Sequence, residues 1–281
     1  MKPSDALEPW LRALARDLGR PASGPLSARA TASGAELWLL DDLVIKLHAA
    51  RTEAAALSQR LRVASMTEQF LPPVDARTRT TPDGRAATAW PLVGVADPGN
   101  DVQPWAAAGK LLAGLHRTPI GSEPELPRHG WPDRLIRASE RAPEELRALG
   151  AALAEQARLP EPASALVHGD WHLGQLGRWD GGWRLLDIDD VGVGDPAWDL
   201  ARPAGFWACG LLADPDWQAF LDAYRAAGGP AVPASGDPWP RLDLPARAAV
   251  LVAAVRVART DDVHSVGTAQ ALLEACRRMA Q

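Results

Sequence analysis

In the opening segment, SDALEPWLRALARDL, the apolar residues Leu7, Trp10, Leu11, Leu14 and Leu18 recur at three- and four-residue steps, which keeps them on one helical face. With Ser4 placed to cap the free N–H groups of the first turn, this spacing predicts a short leading helix. From about 25 to 47 the texture changes to ARATASGAELWLLDDLVIKL, short apolar runs divided by Ser-Gly and Asp-Asp, which predicts consecutive antiparallel strands. Helical spacing returns in RTEAAALSQRLRVAS. Two more strands are expected around 73–80 and 86–93, joined by TPDG with Pro and Gly at turn positions.

A polar Pro/Gly/Asp stretch, GVADPGND at 94–101, separates this part from a chiefly helical remainder: WAAAGKLLAGLHR, ELRALGAALAEQARL and two long helical stretches after residue 214. The division predicts an α+β, two-lobed chain, with a sheet-plus-helix N-lobe over 1–93, a linker over 94–101 and a C-lobe over 102–281. Within the C-lobe one island, SALVHGDWHLGQLGRWDGGWRLLDIDDVGVGDPAWDLA at 164–201, reads as non-helical, short apolar runs flanking Gly- and Asp-rich loops. Chemistry is expected there, because functional groups concentrate on loops held by a rigid scaffold.

Composition narrows the classes. The 281 residues are 47% hydrophobic, enough to bury a core, and a formal net charge of -5 gives no electrostatic footprint for nucleic acid or anionic membrane. A small acceptor, cationic by charge complementarity, is the expected partner. Basic residues are almost all arginine; the only lysines are Lys2, Lys46 and Lys110, so a lysine inside the apolar run Val44-Ile45-Lys46 stands out. Cys209 and Cys276 match no disulfide, zinc or redox spacing. The N-terminus has no signal-peptide core, and the longest apolar run, AAVLVAAV at 248–255, is too short to span a bilayer, so a cytoplasmic protein is expected.

Four pieces carry candidate chemistry: Lys46 on a strand, Glu53 on the helix after it, His168-Gly169-Asp170 with Gln175 five residues past the aspartate, and Asp187 after a second apolar run. Singly each is common. Together they make the inventory of phosphoryl transfer, which needs positioned charge around the phosphates and a carboxylate aimed at the nucleophilic hydroxyl. A strand lysine can reach the phosphates and be held by a carboxylate on the adjacent helix. A loop carboxylate can receive the substrate proton, while an amide oxygen and a further Asp can bind Mg2+.

At these residues the chain resembles the aminoglycoside phosphotransferase and choline kinase-like branch of the protein-kinase-like fold. The resemblance lies in His168-Gly169-Asp170-Trp171-His172-Leu173-Gly174-Gln175, in Leu186-Asp187, and in Gly194-Asp195-Pro196-Ala197-Trp198-Asp199-Leu200-Ala201. LLAGLHR at 111–117 is similar to the family's helix before the catalytic loop. The resemblance implies ATP or GTP and Mg2+ as cofactors, Asp170 as the catalytic carboxylate, Gln175 and Asp187 as metal ligands, and Lys46 with Glu53 as the phosphate-contacting ion pair. It implies that backbone groups of Pro91, Leu92 and Val93 receive the adenine, that His168 steadies the loop, and that Asp199 ties the following helix back to it. Gln175 stands where the family most often has Asn, and its added methylene moves the amide oxygen by roughly one bond length. The HGDxHLGQ form resembles the maltokinase and glucosamine-kinase subgroup, where Gln is usual.

The acceptor stays open. Asp189, Asp190 and Asp195, with Asp261, Asp262 and Glu274, are candidates to receive an amine-bearing antibiotic, an aminoglycoside or a tuberactinomycin-type peptide; local capping and turn preferences explain the same aspartates without a ligand. A metabolic sugar or amino-sugar kinase of the maltose or glucosamine class is the alternative that Gln175 favours. A nucleotide-binding scaffold without turnover is a further one, and His168, Asp170 and His172 would suit a metal-dependent hydrolase. Trp131, Trp207, Trp217 and Trp239 fall where an acceptor would sit, though core packing is the commoner use of Trp.

Overall fold

The computed structural model of the chain describes residues 5–31, 33–97, 103–120, 126–159, 164–259 and 266–280. Their contacts divide into two compact units, one holding the chain up to Val95 together with Gly177–Asp189, the other most of the chain from Ala96 onward. Among the described residues no helix is long and apolar enough to cross a membrane.

The first unit is built on the expected leading helix, α1 (Leu7–Asp17); Ser4 lies outside the described residues. Its buried face, Leu7, Leu11, Leu14 and Ala15, forms one cluster with Trp38, Leu40, Leu43, Ile45 and Leu47 of a five-stranded antiparallel sheet. The strands are β1 (Leu26–Ala30), β2 (Glu36–Leu40), β3 (Leu43–Leu47), β4 (Arg79–Thr80) and β5 (Ala86–Pro91), in the order β1-β2-β3-β5-β4. β2 and β3 close over Asp41-Asp42, where Asp41 takes a φ of 53°, a conformation Asp tolerates through local side-chain bonding. Strand side chains alternate, so Leu43, Ile45 and Leu47 enter the cluster with α1, and Lys46 points from the opposite face beside Leu37 and Thr88. α2 (Ala54–Met66) follows β3.

The strand expected over 73–80 shrinks to Arg79–Thr80. Pro72 and Pro73 have no N–H to give a ladder, and Asp75 ties the next residues locally by accepting from Arg77 N and Arg79 Nε at 3.1 and 2.8 Å. A hairpin of β7 (Leu176–Trp179) and β8 (Gly182–Leu185) turns on Asp180-Gly181, whose φ values of 47° and 72° are those of a type I′ turn. Leu185 exchanges backbone bonds with Gln69 and Leu71 at 2.8 and 2.9 Å, which fixes the start of the segment carrying Asp187.

In the second unit α3 (Trp105–His116) packs on α7 (Asp214–Ala226), and α6 (Ala197–Ala208) on α8 (Trp239–Val257). Gly109 lets α3 approach: a Cβ there would stand 2.3 Å from the Phe220 carbonyl oxygen. α4 (Trp131–Glu140), α5 (Arg147–Gln156) and α9 (Val266–Met279) complete the helical body. α4 has no counterpart in the sequence expectations, although Pro132 in its first turn is a helix-start signal. α6 begins at Ala197, inside the stretch expected to be non-helical, because Asp195 Oδ1 accepts the Ala197 N–H at 3.0 Å and Pro196 presets φ at -63°. β6 (Ala165–Val167) pairs antiparallel with β9 (Gly192–Gly194), so the loop leaving β6 at His168 lies beside the segment that enters β9.

Candidate functional site

On the first unit the free face of β3 carries an ion cluster. Lys46, only 6% exposed, places Nζ 2.7 Å from Asp187 Oδ1 and 2.8 Å from Asp189 Oδ2. Burial alone would lower the lysine's pKa, but the two carboxylates outweigh it and raise it, so the ammonium is charged at neutral pH. His48, two residues on and therefore on the same strand face, bonds Thr88 Oγ1 through Nε2 at 2.9 Å and sets Nδ1 2.9 Å from Asp189 Oδ1, close but without the alignment of a hydrogen bond. Burial pushes the Asp189 carboxyl up, while His48 and Lys46 together hold it well below the usual carboxylate range. Asp187 sits at a φ of 62° and also accepts the Asp189 N–H on Oδ1 at 3.0 Å, a backbone conformation costly for a non-glycine residue and fixed here by those bonds.

On the second unit the loop after β6 is held from below by Asp199, in the first turn of α6. Its carboxylate is 1% exposed and accepts the N–H groups of His168 and Gly169 at 2.7 and 2.9 Å. His116 of α3 donates from Nε2 to Asp199 at 3.0 Å, and its Nδ1 meets the Tyr224 hydroxyl at 2.7 Å, which in turn accepts Ala231 N–H at 3.0 Å. Burial raises Asp199, but the bond and charge of His116, with His168 beside it, bring its pKa below the ordinary value. Gly169 has a φ of 81°, and a Cβ there would lie 2.1 Å from the Asp190 carbonyl oxygen, so only glycine fits. The next residue, Asp170, is presented with its side chain 34% exposed and with Oδ1 held by Arg134 Nη1 at 3.0 Å and Arg202 Nη2 at 3.1 Å.

The expected residues therefore fall into two sets. Lys46, Asp187 and Asp189 meet on the first unit; His168, Asp170, Asp190 and Asp199 meet on the second, with Gln175 on a 3-10 turn, Leu173–Gln175, capped by His172. Lys46 does not pair with Glu53, as expected, but with Asp187 and Asp189; Glu53 is exposed at the start of α2 with no side-chain partner among the described residues. Of the segment expected to receive the adenine, Pro91 is buried, Leu92 N–H donates to the Asp42 carbonyl at 2.8 Å, and Val93 N–H has no backbone partner among the described residues.

The aspartates offered as an acceptor site already have cations: Asp189 has Lys46, Asp190 has Arg134, and Asp195 has Arg241 at 2.9 Å. Asp261 and Asp262 lie outside the described residues. Among the described residues no three His, Cys, Asp or Glu side chains gather as a metal set, so the hydrolase constellation of His168, Asp170 and His172 does not assemble. Trp131 and Trp217 are buried, Trp131 stacked on Trp198 and Trp207 stacked on both Trp217 and Trp239.

Sequence reasoning missed His48, Arg134 and Arg202. His48 was readable as the next residue on Lys46's strand face, and Arg202 as one turn past Asp199 on α6. Nothing local marks Arg134, which reaches the loop only through the placing of α4.

No curated protein matches this chain. Among solved structures, a choline/ethanolamine kinase family protein from Mesorhizobium loti is similar at 19% identity, covering 98% of this chain and 95% of that one with a TM-score of 0.64. A macrolide 2'-phosphotransferase from Brachybacterium faecium is similar at 20% identity, over 99% and 98% of the two chains, with a TM-score of 0.56. The GDP complex of aminoglycoside 2'-phosphotransferase-IIIa gives 13% identity, coverage of 98% and 99%, and a TM-score of 0.63. At these identities the likeness is one of fold, the α+β protein-kinase-like fold expected from the motifs. The profile of the phosphotransferase enzyme family matches residues 27–243, a span that includes Lys46, Asp170, Gln175, Asp187 and Asp199. The chain belongs to the phosphotransferase enzyme family.

Proposed function

We propose that the chain is a small-molecule kinase that transfers the γ-phosphate of ATP to an acceptor hydroxyl, with Asp170 orienting that hydroxyl and receiving its proton. The observation that carries this reading is the presentation of Asp170 from a loop whose two preceding N–H groups are bound by the buried Asp199 carboxylate. A carboxylate on so fixed a backbone can hold a nucleophile in line, and phosphoryl transfer asks mainly for that positioning. Lys46, buried and charged, supplies the cation for the phosphates, with Asp187 and Asp189 as its holders in place of a helix glutamate. Pro91–Val93 offers one open backbone donor to the base, and GTP could use it as well.

Gln175 and Asp187 are the residues that would hold Mg2+: an amide oxygen and a carboxylate oxygen are each hard oxygen ligands, and Mg2+ keeps most of its shell as water and phosphate. When bound, the ion would neutralise phosphate charge. The chain's own part is to hold Asp187 through Oδ1, by Lys46 and the Asp189 N–H.

The first acceptor reading is an antibiotic hydroxyl, supported by a fold shared with macrolide and aminoglycoside phosphotransferases. A second reading, a hydroxyl of a metabolic sugar or amino sugar, is favoured by a specific observation: among the described residues Asp189, Asp190 and Asp195 are each already paired, so none of the three is a free counter-charge for a polycationic acceptor. An ATP-consumption screen with Mg2+ against aminoglycosides, tuberactinomycins, macrolides, glucosamine and maltose, with Asp170→Ala as control, separates the two. Selective turnover abolished by the substitution is the expected result; absence of ATP binding would overturn the kinase reading.

A further inference from the structure

The carboxylate of Asp170 is shared by guanidiniums from two different helices, Arg134 on α4 and Arg202 on α6. Both end on the same oxygen, 3.0 and 3.1 Å from Oδ1, and among the described residues Oδ2 has no partner. An Asp carboxyl turns easily about its terminal bond, where the wells are broad and two-fold. Two donors on one oxygen remove that freedom, because exchanging the oxygens would break both bonds at once.

The clamp is itself held. Arg134 also donates to the Gly169 carbonyl and to Asp190 Oδ2, each at 3.2 Å, and lies over the Trp131 ring with 4.8 Å to the centroid. Arg202 stands one turn past Asp199, the residue that binds the loop backbone, so one helix fixes both the main chain and the side chain of the loop. Arg presents a rigid fork suited to this work, which Lys does not.

We infer that Arg134 and Arg202 are positioning residues that hold Oδ1 of Asp170 so that Oδ2 is the oxygen presented to the acceptor hydroxyl. This rests on Asp170 being the carboxylate of the proposed transfer. In that step the acceptor oxygen forms its bond to the γ-phosphorus, the bridging P–O bond to ADP breaks with its electron pair leaving on ADP, and the hydroxyl proton passes to Oδ2 and then to water.

The test follows ATP turnover with the best acceptor of the screen, or with water as acceptor when none responds, in Arg134→Met, Arg202→Met, both Lys variants, Asp170→Asn and each Arg→Met combined with Asp170→Asn. The expected result is a kcat at least about tenfold lower for each Met variant with the KM for ATP unchanged, partial recovery with Lys, and less than about threefold further loss when Arg→Met is added to Asp170→Asn. Unchanged kcat in the Met and Lys variants, or a full tenfold loss persisting in the Asp170→Asn background, would overturn the clamp while leaving Asp170 in its role. Wild-type turnover in Asp170→Asn would overturn the Asp170 reading itself, and the clamp with it.

Discussion

The two ion clusters are opposites. On the first unit one cation, Lys46, is shared by two carboxylates; on the second one carboxylate, Asp170, is shared by two guanidiniums. Lys46 is buried and both of its partners are tied to the backbone or to His48, whereas Asp170 keeps a third of its side chain exposed and one oxygen open. The difference separates a charge that is stored from a charge that is presented. The lysine cluster fixes one ammonium between two carboxylates, and the aspartate cluster fixes one carboxylate oxygen between two guanidiniums and leaves the other without a partner among the described residues.

The sharpest way to break the second cluster without touching Asp170 is Asp199→Ala. It strands the His168 and Gly169 N–H groups and removes the partner of His116, all buried, and is expected to cost about 3–5 kcal/mol in chemical denaturation. The sign with pH follows from the lowered Asp199 pKa: its stabilisation is complete above the ordinary carboxyl value and is lost as pH falls through the depressed one, so Asp199→Asn should flatten the acid limb of the stability curve. Next in size is Gly169→Ala, whose methyl meets the Asp190 carbonyl at a φ of 81°; a loss of about 2–3 kcal/mol with collapsed turnover is expected from thermal unfolding and kinetics.

The first cluster is broken by Lys46→Met. Asp187 and Asp189 are partly exposed, so solvent softens the loss to about 1–2 kcal/mol of stability, while nucleotide affinity in a fluorescence titration should fall by at least about tenfold. The smallest effect is expected of Gln175→Ala, which should raise the Mg2+ concentration for half-maximal turnover by about tenfold, or roughly 1.4 kcal/mol, with unfolding unchanged.

The parts legible in the sequence are those that neighbours in the chain determine. Helix spacing gave α1, the apolar run Val44-Ile45-Lys46 singled out Lys46 on a strand, and the loop motif marked Asp170, Gln175, Asp187 and Asp199 as one candidate set. The partner of Lys46 was not legible: Glu53 is the first acidic residue after it in the chain, but it stands exposed at the start of α2, and Asp187 and Asp189 arrive from 141 and more residues away through the pairing of Leu185 with Gln69 and Leu71. The arginine clamp was hidden for the same reason, since α4 carries Arg134 to the loop by tertiary packing. Charge counting read the five aspartates between 187 and 199 as candidates for a cationic acceptor but could not show that Lys46 of β3, Arg134 of α4 and Arg241 of α8, far along the chain, pair with Asp187, Asp189, Asp190 and Asp195.

The most direct measurement is kcat and nucleotide Kd for Asp170→Asn beside the wild type, with transfer followed by acceptor-dependent formation of ADP. The account expects turnover lowered by about a hundredfold or more with the Kd within about twofold of wild type. Turnover retained, or nucleotide binding lost in step with it, would contradict the assignment of Asp170 as the residue that receives the hydroxyl proton.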